Sequence, residues 1–237
     1  MMRLARCSEC GSQWPVVDGL FLPGLLAALI APWLAGSALT YRLLSGQRDT
    51  SNWLLIIGQG YLLGLFLTVL LMRLMTTFSD AFHFWPVAGA LMFVAVAAWV
   101  GRDSSGRNSS PGDRSPAAGA AWQWLLLLVF LCLTALRLQT LGQELLLRPL
   151  FPWDAWMNWA PKAVVWFEGG EWVDFVYPAE WRAAGAREMS YTLGYWRASE
   201  YPEALPLISV WSMMGAGVCA HPALGLPWLL LLLALSC

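Results

Sequence analysis

Long apolar runs limit this chain more than any other feature. Four of them cover 20–41, 53–72, 84–100 and 121–136, followed by a fifth at 204–220 and the start of a sixth at 225–237. About 20 mostly apolar residues carry a helix across the ~30 Å hydrocarbon layer. Backbone exposed to lipid must close its hydrogen bonds within a helix or a barrel. The run lengths therefore predict an all-α fold: a polytopic transmembrane helical bundle with five complete spans and a partial sixth. Composition agrees, with 58% apolar residues, 12% charged residues and a mean hydropathy of +0.55. A water-soluble fold could not hide that much apolar surface, so membrane lipid is the expected solvent and partner. The formal net charge of −1 leaves no basic field for nucleic acid.

The runs divide the chain into three regions. Residues 1–148 form an N-terminal four-span membrane region, interrupted at 101–118 by a linker rich in Gly, Ser and Pro. Residues 149–203 form a long aromatic-rich loop expected to fold into short helices. Residues 204–237 hold the fifth span and the partial sixth, which is what a fragment of a longer chain would show. Within the first span, Pro23 and Pro32 require neighbours to satisfy the carbonyls they free. Gly60 and Gly64 in the second form a small-xxx-small pair that allows close helix approach.

Orientation follows from the arginines of the short connections. Four spans ahead of the long loop put the N-terminus, the turn after Arg73 and the long loop on one side. The other side carries Arg42, Arg48, Arg102, Arg107 and Arg114, against Arg3, Arg6 and Arg73 on the first. The linker is thus expected to be cytoplasmic and the long loop extracytoplasmic, in a multi-pass protein of the cell membrane. Arg3 and Arg6 precede Trp14, Pro15 and Asp18 with no neat cleavage site, so the first span is expected to stay in the protein. Cys7 and Cys10 form half of a zinc-knuckle pattern, but a structural zinc site takes four ligands and no second pair follows. Cys132, Cys219 and Cys237 lie in apolar runs and read as small packing residues.

The long loop holds the candidate chemistry. Asp154 follows Pro152 in a position suited to capping a helix. From there Asp154, Asn158 and Lys162 recur every four residues, which sets an acid, an amide and an ammonium on one helical face. Pro161 is expected to kink or divide that helix, and Gly169 with Gly170 to end it. Two readings stand side by side. In one, Asp154 only caps and tryptophans such as Trp156, Trp159 and Trp166 anchor the helix at the membrane interface. In the other, the stripe is a site: Asp154 acts as general base or holds a divalent metal, and Lys162 pairs with a phosphate. Downstream, most of the charges read as a solvated face, and Pro202 and Pro206 bracket the return to the membrane. His83 and His221 have no ligand spacing around them.

The segment Trp153-Asp154-Ala155-Trp156 with Trp159 and Lys162-Ala163, followed by Glu200-Tyr201-Pro202-Glu203-Ala204-Leu205-Pro206, resembles bacterial polytopic glycosyltransferases of the GT-C type. These enzymes use polyprenyl-phosphate sugars. The resemblance covers 151–206. It implies transfer of a sugar from a polyprenyl-phosphate donor at the outer face of the bacterial cytoplasmic membrane, with a divalent metal possible. It makes Asp154 the catalytic position and Asn158, Lys162, Trp156, Trp159, Tyr201 and Glu203 the substrate-binding ones. Lys162, or Arg182, Arg187 or Arg197, would offset the donor phosphate. Two departures accompany it: in the superfamily the acidic loop follows the first span rather than the fourth, and the later spans are missing. The alternatives are a transporter or channel subunit, which would need polar groups at mid-bilayer on broken helices, and a non-enzymatic membrane assembly or scaffold protein. If the loop is a site, its two ends, at Asp154 and at Tyr201–Glu203, are expected to face one cavity.

Overall fold

A computed structural model describes residues 21–44, 53–79, 81–100, 121–147, 155–184, 190–193, 200–219 and 221–237. Among these the fold is helical: α1 (Phe21–Leu43), α2 (Trp53–Phe78), α3 (Phe84–Val100), α4 (Ala121–Leu147), a π-helical turn (Ala155–Trp159), α5 (Ala160–Gly169), α6 (Pro178–Ala184), α7 (Ala204–Ala216) and α8 (His221–Leu235). Two short strands, β1 (Asp174–Phe175) and β2 (Ser190–Tyr191), pair in parallel within the loop.

Among the described residues, three helices are long and apolar enough to cross a membrane: Leu22–Leu43, Trp53–Phe78 and Trp122–Leu145. The other apolar helices, α3, α7 and α8, have 17, 13 and 15 residues. At 1.5 Å per residue these fall short of a ~30 Å layer. Of the five complete spans expected, three are helices of full length among the described residues, and α3 and α7 are shorter there.

The fifth run departs furthest from its reading as a span. α7 is buried on nearly every side, from Pro206 to Met213 and again at Gly215 and Ala216. Its ends are tied to one end of the bundle. Glu203, just before α7, reaches Arg73 near the end of α2. Gly215 abuts the backbone of Gly24, near the start of α1, and a Cβ there would lie 3.2 Å from the Phe84 ring at the start of α3. A helix of 13 residues held in this way does not reach the far end. α8 continues the alternation instead. It leaves Leu145, near the end of α4, at Gly225, and brings Ala234 against Gly58, near the start of α2. α4 consequently packs against α8 rather than α7.

α1 is the hub, in contact with α2, α3 and α7. Small residues permit this. Gly36 meets Gly60, Gly60 meets Ser37, and Gly64 meets the Pro32 carbonyl, so close that a Cβ at any of these glycines would collide with backbone. The pair Gly60/Gly64 therefore serves the α1–α2 contact. Pro32 has no N–H to offer the carbonyl of Ala28, four residues earlier. That acceptor is filled by Trp211 of α7, whose Nε1–H donates to Ala28 O at 2.7 Å. The requirement set by the proline is met by a tryptophan 183 residues away. Other polar groups in the bundle are also satisfied across helices: Trp33 Nε1–H donates to Ile57 O at 2.9 Å and Tyr61 O–H to Pro227 O at 3.1 Å.

Candidate functional site at the junction of loop and bundle

The loop is built on α5. Pro161 lacks the N–H that would continue the helix in register, and the chain divides there: a π-helical turn precedes it and α5 follows, with the proline in its first turn. At the other end Gly170 takes φ +70°, a left-handed conformation that a side chain would resist, and its N–H closes on Trp166 O at 3.0 Å. Both expectations for this helix hold. Of the three residues expected on one face, Asn158 and Lys162 are both fully buried, and Asp154 lies outside the described residues.

That face packs on α7, and its opposite end docks on the turn between α2 and α3. Phe82 N–H donates to Gly170 O at 2.8 Å, and Ala81 bridges Glu171 in antiparallel fashion. The Arg73 turn and the loop thus lie on one side of the bundle, as the alternation of spans requires. Aromatic rings fill the contact. Trp166 stacks on Trp172 with centroids 4.3 Å apart, meets Phe175 edge-on at 6.0 Å and approaches Phe82 at 6.4 Å. Its Nε1–H donates to Val173 O at 2.8 Å. Trp166 is 1% exposed. It is the centre of the loop's own core and not an interfacial anchor, because its ring and its N–H are both used inside.

Lys162 is the unusual residue of this junction. It is 2% exposed, and its Nζ makes a long hydrogen bond to Tyr201 O at 3.4 Å and lies 5.4 Å from the Phe175 ring centre. Removal from water pulls its pKa down, and Glu203 works against that by favouring the charged form. Glu203 is half-buried. Burial raises its pKa, Arg73 and then Lys162 oppose the rise, and Asp174 adds to it. Arg73 approaches Glu203 with Nη2 at 3.7 Å from Oε2 and lays its guanidinium 4.0 Å from the centre of the Trp172 ring. The loop, α2 and the start of α7 are joined by charge at this point.

Of the residues expected to form a site, Lys162, Tyr201 and Glu203 come together, although Tyr201 contributes its backbone carbonyl rather than its phenol. Asn158 lies one turn before Lys162 on the buried face. Trp159 is partly buried and its Nε1 has no hydrogen-bond partner among the described residues. Trp156 lies in the π-helical turn, with its side chain outside what is described, and Asp154, Arg187, Arg197, Cys7 and Cys10 lie outside the described residues altogether. Arg182 is exposed and donates from Nε to Pro178 O at 3.1 Å. Among the described residues no three His, Cys, Asp or Glu side chains converge on a metal-sized site. Arg73 and Trp172 were missed. The sequence marked Arg73 as the close of a span on the loop's side, which was the available signal. α4 stands apart from the junction, with its residues from Trp122 to Leu133 all exposed. Comparison of the chain with protein-family models, with curated proteins and with solved structures gave no match.

Proposed function

We propose that this protein is a membrane transferase that moves a sugar from a polyprenyl-phosphate donor to an acceptor at the outer face of the cytoplasmic membrane, with its chemistry at the loop–bundle junction. The observation that supports this reading is Lys162: a buried ammonium with one long hydrogen bond, beside a half-exposed Arg73 and the carboxylate of Glu203. A buried cation whose hydrogen bond among the described residues is this long is costly, and an anionic group entering the junction would relieve that cost. Arg73 is the cation that a phosphate at the membrane face would meet first, with Lys162 behind it. In the transfer step the acceptor oxygen bonds to the anomeric carbon, the bond from that carbon to the phosphate oxygen breaks, and the leaving phosphate keeps the electron pair. The acceptor proton passes to a carboxylate. The resemblance gives this role to Asp154, and the junction holds a second acid, Glu203.

The test is transfer by the purified protein from a radiolabelled polyprenyl-phosphate sugar. Loss of a positioned base lowers the rate by about 10²–10⁴-fold, so Asp154→Asn is expected to fall by that amount with membrane insertion unchanged. Arg73→Gln is expected to raise KM for the donor more than it lowers kcat. Full transfer by Asp154→Asn would remove Asp154 from the mechanism, and an unaltered donor KM in Arg73→Gln would remove the phosphate role.

A further inference from the structure

Away from the junction, the outer surface of the loop carries a second arrangement, built from α6 and the strand pair. Trp181 of α6 is 48% exposed and Tyr191 of β2 is 39% exposed. Trp181 bonds its side-chain N–H to the loop itself: Nε1–H donates to Ser190 O at 3.1 Å, and its backbone N–H donates to Tyr177 O at 2.9 Å. The indole is therefore fixed, and the part of it that meets the surroundings is carbon. Two exposed carboxylates close on Tyr177 beside it. Glu180 Oε2 accepts from the Tyr177 N–H at 3.2 Å, and Glu200 Oε1 accepts from the Tyr177 O–H at 2.8 Å. Each carboxylate is oriented by one bond and keeps a second oxygen that this bond does not use.

The orientation of Trp181 decides between two uses of an exposed indole. At a membrane interface the ring sits in the apolar layer and the N–H points to headgroups and water. Here the N–H is bonded to the loop's own Ser190 carbonyl, and two carboxylates are held on Tyr177, four residues before the indole, which disfavours the anionic lipid surface. A flat apolar face with fixed hydrogen-bond acceptors held one helical turn away suits a pyranose instead. The C–H face of the sugar lies on the indole, and its hydroxyls donate to the carboxylates.

We propose that Trp181, with Glu180 and Glu200, forms a docking surface for an uncharged saccharide. This deepens the transfer reading by giving the acceptor a place to bind, and it is measured without transfer, so either can fail alone.

The experiment uses the full chain in detergent and saturation-transfer NMR with three uncharged tetrasaccharides: β-1,4-linked glucose, β-1,4-linked N-acetylglucosamine and α-linked mannose. At least one is expected to bind saturably. Trp181→Ala should weaken that binding by about tenfold or more, Trp181→Phe should keep it within about threefold, and Glu180→Gln with Glu200→Gln should weaken it by about tenfold. The phenylalanine variant separates loss of the ring from loss of the fold. Absence of saturable binding by all three sugars, or equal binding by Trp181→Ala and the unaltered chain, would overturn the proposal. So would quenching by brominated acyl chains in nanodiscs of the emission that Trp181→Phe removes, since that places the ring in hydrocarbon.

Discussion

The contact of α1 with α2 and the contact of α5 with α7 are both closely packed, yet they are built from opposite materials. Where α1 and α2 come closest, glycine, serine and proline meet backbone against backbone, with the Trp33 ring tilted against Tyr61 beside this contact. Where α5 meets α7, Trp166 and Trp211 belong to one buried apolar cluster, Lys162 is buried as well, and Glu203 pairs with Arg73 at the start of α7. Where both sides are apolar, helices gain little from leaving lipid, and close approach through small residues supplies the dispersion contacts that hold them. At the junction a wet loop meets the bundle, so burial of large rings supplies the driving force. Lys162 gains nothing from that burial. Burial of the Lys162 ammonium is costly, and the proposed donor phosphate would offset that cost.

The comparison would be broken most severely at the glycines. Gly64→Leu drives a side chain into the Pro32 carbonyl, with no flexible neighbour to yield. The cost is expected to exceed about 3 kcal/mol, beyond the usual range for overpacking, and to appear as loss of the folded fraction in detergent-denaturation curves. A next, smaller effect is expected at Trp211→Phe. This variant keeps most of the apolar volume but leaves the Ala28 carbonyl without its donor, at about 1–3 kcal/mol. An unchanged unfolding midpoint would mean that water or a shifted helix fills that acceptor.

At the junction the expected sign reverses. Lys162→Met removes a buried charge and keeps an apolar chain of similar reach, so stability should hold or rise by about 1 kcal/mol while donor use falls. A drop of several kcal/mol would show that the ammonium holds the loop in place and would put Lys162 in the same class as the glycines. The smallest effect belongs to pH. Burial lifts the Glu203 pKa above the ordinary glutamate range, so in the window between the two values the folded state binds more protons than the unfolded one. Stability should therefore fall as pH rises through that window, modestly, because the carboxylate is half in water. Glu203→Gln should flatten that slope in melting curves taken across the acid range. Lys162 works at the other end of the scale: its lowered pKa makes the unfolded state the better proton binder just below the ordinary lysine range, so stability should rise with pH there.

The sequence by itself determined the parts that rest on local chemistry. The long apolar runs of α1, α2 and α4 give helices long enough to cross a membrane, whatever packs around them. Pro161 and Gly170 set where α5 begins and ends, because a missing N–H and a left-handed φ are properties of single residues. The four-residue spacing of Asn158 and Lys162 put both on one face. Tertiary structure decided the rest. The fifth run is as apolar as a span, and a helix sheathed in protein has the same composition as one sheathed in lipid, so only its contacts with Gly24, Phe84 and Arg73 show that α7 stops short. Arg73 reads as a boundary charge until Trp172 and Glu203 are seen beside it. The orphan carbonyl of Ala28 could be foreseen from Pro32, but its partner, Trp211, could not, because a hydrogen bond across 183 residues leaves no local pattern to read.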